Sequence, residues 1–364
     1  MTERPLTLRE LNRATLARQM LLEREKIPAL DGVGRLVGLQ AQVLKPPYVG
    51  LWSRLRDFRR EDLVRLAQER RVVRATLMRA TLHLMTAEDY LLLRPALQPA
   101  LDRSMRSIAG KRLDGMDLDR LLAVARTRFE AEPCTFAALR PLLSELEPDR
   151  DPSALAYAVR MSLPLVQVPG GPWGYPGNAP FALAESWLGR PLSDSGHPRH
   201  LILRHLAAFG PATVKDIQAW SYLVRLEDAA EELKPELRVF RDEDGKELLD
   251  LPEAPRPPAD TPAPVRFVPD YDNLVLSHAD RRRVISDEHR KFVFLSAARV
   301  MATFLVDGFV AGTWKVEKSR KTAILVIEPF EPLSRATRDA LLEEGERLVR
   351  FVESDARAFE VRFA

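Results

Sequence analysis

The pattern of hydrophobic and polar positions between residues 116 and 180 predicts three helices followed by a two-stranded hairpin. The segments with helical periodicity are Met116–Glu130, Thr135–Leu146 and Ser153–Met161. The predicted strands are Leu165–Val168 and Trp173–Tyr175, on either side of a Pro-Gly-Gly-Pro turn. Three helices and a hairpin are typical of a winged helix, a variant of the helix-turn-helix DNA-binding motif.

The same order of elements is predicted on both sides of this segment. On the C-terminal side the helices are His200–Phe209, Thr213–Trp220 and Leu226–Leu233, and the strands are Glu236–Phe240 and Lys246–Leu251. On the N-terminal side the helices are Leu8–Leu22, Ala29–Val37 and Glu61–Glu69, and the strands are Arg71–Thr76 and Thr81–Met85. The pattern therefore predicts three tandem winged-helix modules.

A proline-rich segment that begins at Pro252 separates these modules from a part of the chain dominated by strands. The predicted strands there are Val265–Val268, Lys291–Phe294, Ala302–Val306, Phe309–Val316 and Thr322–Ile327, and a final amphipathic helix covers Ser334–Phe351. We expect an α+β fold with divisions at 1–115, 116–195, 196–255 and 256–364.

Composition excludes several classes of protein. Of the 364 residues 46 % are hydrophobic, yet no apolar run approaches the roughly 20 residues that a membrane helix needs. The N-terminus lacks the apolar core of a secretory signal. Cys134 is the only cysteine, so we expect neither a disulfide framework nor a cysteine-rich zinc site. A cytoplasmic protein with no membrane association is the expectation.

Positive charge is concentrated near the N-terminus. The whole chain carries a net charge of +3, whereas residues 1–110 contain 20 Lys and Arg against 12 Asp and Glu. An arginine-rich face indicates a polyanionic partner such as nucleic acid. The alternative explanation of this charge is a high-GC genome, which favours arginine at every solvent-exposed position.

Motifs for metal and nucleotide chemistry are weak. His197, His200 and His205 lie close in sequence, but their spacing does not place all three on one helix face. The glycine-rich stretch 168–177 lacks the Lys-Ser/Thr ending of a phosphate loop. We therefore expect no metal and no cofactor.

Asp270 and Asp272 are the best pair of carboxylates in the chain. They either act as an acid and a base or form a turn before a strand, and the turn is the better interpretation. The three arginines that follow, Arg281, Arg282 and Arg283, are candidates for phosphate contacts.

Gln40 and Gln42 lie two positions apart, just before Pro46 and Pro47. In an extended segment both side chains project to one side and Ala41 projects to the other. Because prolines disfavour a helix directly downstream, the two amides can converge on one water or one base edge. The alternative is a pair of glutamines that satisfy backbone groups at a helix end.

Four segments in this order resemble the bacterial winged-helix DNA glycosylases, the AlkZ-like and YcaQ-like proteins. The segments are GLQAQ (38–42), RATLMRATLHLM (74–85), FVPDYDNLVLSH (267–278) and DGFVAGTWK (307–315). The resemblance spans nearly the whole chain. It implies a C-shaped arrangement of tandem winged helices that cradles double-stranded DNA.

The resemblance also implies the reaction and its residues. The catalytic motif of the family is glutamine, an apolar residue, then glutamine or aspartate, so Gln40 and Gln42 match its double-glutamine branch. That branch implies excision of N7-alkylated purines, unhooking of interstrand crosslinks and a role in self-resistance. We expect a monofunctional enzyme that leaves an abasic site, acts as a monomer and associates with the nucleoid.

Further residues in the resembling segments are candidates for DNA contacts. Besides the three arginines already named, they are Arg74, Arg79, His83, Trp314, Lys318, Arg320 and Lys321. His83 and Trp314 also have a packing interpretation, one on a strand and one on an apolar face. The alternative function is a DNA-binding regulator without enzymatic activity, which has no need of Gln40 and Gln42.

Overall fold

The computed structural model describes residues 4–364, which form an α+β fold as predicted. Its helices are α1 (Leu8–Arg18), α2 (Ala29–Arg35), α3 (Pro46–Trp52), α4 (Arg60–Gln68), α5 (Ala87–Leu113), α6 (Leu118–Ala131), α7 (Phe136–Leu146), α8 (Pro152–Ser162), α9 (Ala184–Leu188), α10 (Arg199–Phe209), α11 (Val214–Ser221), α12 (Glu227–Leu233), α13 (Asp287–Val293) and α14 (Arg335–Val352). Its strands are β1 (Leu39–Gln40), β2 (Val72–Thr76), β3 (Leu82–Thr86), β4 (Leu165–Gln167), β5 (Phe181–Leu183), β6 (Arg238–Arg241), β7 (Glu247–Asp250), β8 (Arg266–Val268), β9 (Thr303–Val306), β10 (Phe309–Ser319), β11 (Thr322–Pro329) and β12 (Ala358–Phe363).

One sheet runs through the first two predicted modules. Its strand order is β1-β3-β2-β4-β5, and β2 meets β4 where Ala75 lies opposite Val166. The hairpins of the two modules therefore share backbone hydrogen bonds and a single layer. Strand β1 is at the edge of this sheet, so one side of the strand that carries Gln40 has no strand neighbour.

A second five-stranded sheet forms most of the C-terminal part, in the order β12-β11-β10-β9-β8. Strands β10 and β11 form a hairpin that pairs from Gly312 with Pro329 up to Ser319 with Thr322. Helix α14 packs on the sheet through buried residues such as Leu341 and Leu348, with Ser334 as its N-cap. The predicted final helix and the predicted hairpin are both confirmed.

The predicted strand Trp173–Tyr175 is wrong. Strand β4 pairs instead with β5, and Tyr175 is 3 % exposed in the core of the first module. The ring of Trp173 packs edge-on against Tyr48 with centroids 5.0 Å apart. Aromatic residues after a glycine-rich turn suggest a strand, but here their burial against a neighbouring module decides the conformation.

The predicted strand Lys291–Phe294 is also wrong, because this segment lies in helix α13 and the residue after it. The hydroxyl of Ser286 accepts a hydrogen bond from the N–H of His289 and caps the helix. Asp287 and Glu288 occupy the first turn, where negative charge is favourable. The alternating apolar residues of a short segment did not distinguish a strand from a helix with a good cap.

Several elements were not predicted, among them α3, α5 and β12. Pro46 and Pro47 were expected to disfavour a helix, yet they occupy the first turn of α3, where their missing N–H groups cost nothing. Helix α5 continues for 27 residues in spite of Pro95 and Pro99. Strand β12 pairs in parallel with β11 and completes the C-terminal sheet.

Candidate active site

Gln40 is positioned by an abrupt turn from helix α2 into strand β1. Val37 and Gly38 both have left-handed backbone conformations, with φ of 51° and 90°. The chain then pairs with β3, so that Gln40 lies opposite His83 and the N–H of Ala41 donates to the carbonyl of Leu82 at 2.7 Å. Gln40 is only 7 % exposed, so the surrounding residues hold its side chain in a nearly fixed position.

Arg79 is the main partner of that side chain. Its Nη2 donates to Oε1 of Gln40 at 2.8 Å and to Oδ1 of Asn273 at 2.8 Å. Its Nη1 donates to the carbonyl of Trp220 at 3.1 Å. Arg79 itself sits in a left-handed turn between β2 and β3, with φ of 55°. One guanidinium therefore connects the motif to residues from two distant segments of the chain.

Burial, followed by the nearby charge of Arg281, lowers the pKa of Arg79 to about 10. The group remains cationic at neutral pH, since its pKa is still well above 7. Because a guanidinium can only donate, the atom of Gln40 that faces it must be the oxygen. The amide nitrogen of Gln40 consequently points away from Arg79.

His83 is fully buried beside Arg79 and is neutral. Its Nδ1 lies 3.1 Å from the carbonyl of Thr81, and its Nε2 lies 3.2 Å from Nη2 of Arg79. The proton is therefore on Nδ1, and the unprotonated Nε2 faces Nη2 of Arg79. Burial, and then the charge of Arg79, lower the pKa of His83 to about 3. His83 supports Arg79 from inside the protein, and its burial does not fit a direct DNA contact.

Gln42 follows β1 and is exposed. Its Oε1 accepts from the backbone N–H of Leu82 at 3.3 Å, next to the residue that pairs with Gln40. Gln42 thus does satisfy a backbone group, as the alternative interpretation of the motif expected. The same bond holds its amide beside the edge of the sheet, with the amide nitrogen turned away from Leu82.

Arg74 lies beneath the motif. Its Nε donates to the carbonyl of Ala41 at 2.8 Å, its Nη2 to that of Gln42 at 3.4 Å, and its Nη1 to Oε1 of Gln167. The side chain is 5 % exposed, and burial lowers its pKa to about 10. The expected phosphate contact from Arg74 does not fit this position, because the guanidinium is occupied with the backbone of the motif.

Asn273 was missed by the sequence analysis. It accepts from Arg79 through Oδ1 and donates through Nδ2 to the carbonyl of Gly38 at 3.1 Å. It therefore joins the turn before β1 to the arginine that holds Gln40. Its place directly after the two aspartates was the available signal, since amides share the turn chemistry of aspartate.

Asp272 anchors the segment that carries Asn273. Its carboxylate forms a two-pronged ion pair with Arg54, at 2.9 and 2.8 Å, and also accepts from the N–H of Leu274. Both charged side chains are buried. Asp272 is thus a structural residue, and the turn interpretation holds for it.

Asp270 is different because no ion pair engages it within residues 4–364. It lines a small cavity of about 10 Å³ together with Gln40 and Asn273, which is the room that one water molecule requires. Burial raises the pKa of Asp270 above its usual range. Asp272 lines the same cavity, so what distinguishes Asp270 is that no ion pair engages it within residues 4–364.

A family model described as "DNA glycosylase AlkZ-like" matches residues 33–351, which is most of the chain. The chain belongs to the AlkZ-like DNA glycosylase family. Members of this family are hydrolases that act on N-glycosyl bonds. The matched range contains both glutamines together with Arg74, Arg79 and Asn273.

A curated protein and a solved structure from Streptomyces sahachiroi are both similar to this chain. The chain is 26 % identical to an "Interstrand DNA cross-link repair glycosylase" over 92 % of this chain and 94 % of the relative. A solved structure, "DNA glycosylase AlkZ", matches 99 % of this chain and 100 % of that chain with a TM-score of 0.78 and 23 % identity. This likeness shows that the two proteins share the fold.

Among the helices of residues 4–364, none has the length and apolar character that a membrane span requires.

Two more of the predicted DNA-contacting residues are buried in this AlkZ-like fold. Arg283 is 4 % exposed and donates to the carbonyl of Pro211 at 2.8 Å. Trp314 is 7 % exposed, and its indole N–H donates to the carbonyls of Val268 and Thr303. Neither side chain has access to a DNA surface, so the packing interpretation of Trp314 holds and the phosphate role of Arg283 does not fit.

The remaining predicted DNA contacts lie at accessible positions. Arg282 is exposed but paired with Asp280 and Asp244, and these hydrogen bonds raise its pKa. Arg281 packs over the ring of Phe294 at 4.3 Å without a carboxylate partner within residues 4–364. In the turn between β10 and β11, residues 318–321, Lys318 forms an ion pair with Glu353. Arg320 and Lys321 are exposed at the tip and have no ion pair in the same range.

The histidines do not form a metal site. His205 is buried with its Nε2 3.1 Å from the carbonyl of Ser277, whereas His197 is on the surface near Glu232. Within residues 4–364 no group of three or more potential ligands is arranged to hold a metal ion.

Proposed function

We propose that this chain hydrolyses the N-glycosidic bond of N7-alkylated purines in double-stranded DNA, including bulky adducts or interstrand crosslinks, and leaves an abasic site. The observation that carries the proposal is the fixed orientation of the two motif amides. The oxygen of Gln40 faces Arg79 and the oxygen of Gln42 faces the N–H of Leu82. Family membership supplies the reaction class.

The amides position the attacking water. An amide oxygen has two lone pairs, so each motif oxygen keeps one acceptor site after its contact with the protein. A water that donates one proton to each oxygen directs its own lone pair outward, toward the anomeric carbon. This is catalysis by orientation and by electrostatic stabilisation, and it requires no change of charge on the glutamines.

The substrate makes a general acid unnecessary. An N7-alkylated purine is already cationic and leaves without being protonated. As the bond breaks, the sugar acquires oxocarbenium character, and partial negative charge on the amide oxygens stabilises it. A neutral base with a stable bond needs protonation, which Gln40 and Gln42 cannot provide. The site therefore favours cationic lesions over neutral ones.

Bulky adducts and crosslinks fit the position of the motif. Strand β1 is at the sheet edge, and Gln42 is exposed there, so the motif does not lie at the bottom of a closed pocket. A tight pocket that receives a fully extruded base excludes a base still tied to the opposite strand. The S. sahachiroi relative is described as an interstrand crosslink repair glycosylase, which supports the same substrate class.

The reaction ends at the abasic site. Strand cleavage by a glycosylase uses an amine that forms a Schiff base, and Lys45 is the lysine that follows the motif in sequence. Its Nζ is 2.6 Å from the carboxylate of Glu353 and packs over the ring of Trp173 at 5.2 Å. A paired ammonium group held in this way is a poor nucleophile.

DNA contacts are proposed for the accessible cations, in a complex with one monomer of the protein. Arg281 lies close enough to Arg79 to lower its pKa, so a phosphate at Arg281 is near the motif. Arg320 and Lys321, at the tip of the β10–β11 hairpin, are positioned for phosphates further along the duplex.

The test is base release from duplex DNA that contains N7-methylguanine or a nitrogen-mustard crosslink. We expect release by the wild type and loss of release in Gln40→Ala and Gln42→Ala, with binding and folding retained. Gln218→Ala, which removes a surface amide near Glu227, is the matched control and releases at the wild-type rate. Binding without release by the wild type supports the regulator, and release by both motif variants places catalysis elsewhere.

A further inference from the structure

The segment that follows helix α11 exposes two large apolar side chains. Tyr222 is 48 % exposed and Val224 is 55 % exposed. Leu223, which lies between them, and Leu226 are buried in the core. Together they form a small apolar surface that a partner can cover.

The backbone holds this segment in one conformation. Tyr222 and Arg225 both have left-handed backbone conformations, with φ of 68° and 57°. The N–H of Leu223 donates to the hydroxyl of Ser221 at 3.1 Å. Because Leu223 and Leu226 are anchored in the core, Tyr222 and Val224 are presented outward from a rigid base.

This segment is at the rim of the candidate active site. The carbonyl of Trp220 accepts from Arg79, the residue that holds Gln40. Tyr222 follows two residues later, so its backbone is at most about 7 Å further along the chain. The side chain of Tyr222 also lies in the neighbourhood of Arg79.

Cations without carboxylate partners surround the two side chains. The guanidinium of Arg103, on helix α5, is 5.9 Å from the ring of Tyr222. Arg225 is exposed, and neither arginine forms an ion pair within residues 4–364. Arg112, on the same helix as Arg103, is by contrast paired with Asp151 at 2.6 Å. Apolar side chains flanked by free cations match the chemistry of a nucleic-acid duplex, whose stacked bases lie between phosphates.

We propose that Tyr222 and Val224 form a wedge that enters the base stack beside the damaged nucleotide, while Arg103 and Arg225 contact the flanking phosphates. The proposal rests on the proposed glycosylase function. Inserted apolar side chains partly unstack a base step and kink the duplex. Such an opening gives the motif access to the sugar of a bulky or crosslinked base that cannot be extruded completely.

The test uses a duplex in which 2-aminopurine is the neighbour of an N7-methylguanine whose sugar carries a 2′-fluorine to slow hydrolysis. Binding of the wild type is expected to increase 2-aminopurine fluorescence, because the probe is unstacked. When the double variant Tyr222→Asn/Val224→Ser binds, the increase in 2-aminopurine fluorescence is expected to be at least fivefold smaller. Asparagine tolerates the left-handed backbone at position 222, which protects the fold.

Two controls separate the wedge from general damage. Val239→Ser removes an apolar side chain of similar exposure, 43 %, from strand β6, which carries no residue of the site, and is expected to behave as the wild type. Tyr222→Phe keeps the aromatic ring of the wedge and is also expected to behave as the wild type. With ordinary N7-methylguanine, release by the double variant falls at least tenfold in an intact duplex and recovers when the lesion lies in an already unstacked bulge.

The outcomes distinguish this proposal from the proposed function. Wild-type fluorescence that does not increase on binding, or a double variant that matches the wild type in an intact duplex, overturns the wedge. Absence of base release by the wild type overturns the glycosylase proposal instead, and the fluorescence of the fluorinated duplex still reports the wedge.

Discussion

Nη2 of Arg79 donates a 2.8 Å hydrogen bond to Oε1 of Gln40. The two residues are 39 positions apart, and the bond forms because β1 and β3 bring the turn before β3 next to the motif. The same nitrogen also bonds to Asn273, from the C-terminal part of the chain. The orientation of the first glutamine therefore depends on a cation that itself needs the complete tertiary structure.

Arg79→Lys is expected to lower the rate of base release by about 10²-fold, which is the effect that a misplacement of roughly 1 Å has on a positioned reaction. Lysine keeps the charge, but its single nitrogen cannot take the positions of both Nη1, which donates to Trp220, and Nη2, which donates to Gln40 and Asn273. Single-turnover release at saturating protein measures the effect. Arg282→Lys, at an exposed and ion-paired position, is the control. Equal rates for the two variants contradict a positioning role for Arg79.

Gly38→Ala is expected to reduce both stability and activity. Gly38 has φ of 90°, and an added Cβ would lie 3.1 Å from the carbonyl of Leu84. Gly115→Ala is a matched control, because Gly115 has φ of 73° but open space around it. Both variants lose about 1–2 kcal/mol in the free energy of unfolding from the left-handed backbone. Only Gly38→Ala is expected to slow base release as well, since only it displaces the motif.

The two aspartates are expected to respond in opposite ways. Asp272→Asn leaves the charge of Arg54 buried without its partner and is expected to cost about 3–5 kcal/mol of unfolding free energy. Asp270→Asn removes a carboxyl whose pKa is raised by burial, so stability is maintained or increased at neutral pH. Urea titration at pH 7 measures both.

Base release separates the possible roles of Asp270. A water clamp made of glutamines predicts near wild-type release by Asp270→Asn. Loss of release in this variant, together with a wild-type rate that falls as pH decreases through the pKa of Asp270, identifies a general base and contradicts the amide mechanism.

The hairpin tip is expected to contribute to the salt dependence of DNA binding. Removal of one phosphate contact reduces the slope of log affinity against log salt concentration by about 1. Arg320→Ala and Lys321→Ala are each expected to show this change. Lys246→Ala, whose amine is paired with Asp244 and Asp280, is expected to leave the slope unchanged. The slope is measured by fluorescence anisotropy of labelled DNA at salt concentrations between about 50 and 200 mM.

Mild acid is expected to destabilise the fold through its buried histidines. Burial is the first cause that lowers the pKa of His83 to about 3, of His205 to about 4 and of His278 to about 3. In the unfolded chain a histidine has a pKa near 6.5, so the unfolded state binds protons first. Stability is fully present above about pH 6.5 and is lost progressively as pH falls toward the folded pKa values.

Denaturant titrations at pH 7 and at about pH 5.5 test this expectation, because carboxylates in the unfolded chain are still almost entirely ionised in that range. His197→Gln, at an exposed position, serves as the control. An unfolding free energy that does not decrease between the two pH values contradicts the assignment of buried neutral histidines.

The sequence by itself determined the α+β class and most of the helices and hairpins, and it singled out Gln40 and Gln42 as the candidate pair. Local rules suffice for these features, because periodicity, caps and turns act over a few residues. They failed at Trp173–Tyr175 and Lys291–Phe294, where packing between modules and a helix cap decided between strand and other structure.

Only the tertiary structure decided which polar residues serve the motif. Arg74, Arg79 and His83 are interior supports, and Asn273 bonds to Arg79 from 194 residues further along the chain. No local pattern predicts such a network, because a basic or amide side chain looks the same in sequence whether it faces DNA or a backbone carbonyl. Burial decides, since a buried polar group must find its partners within the fold.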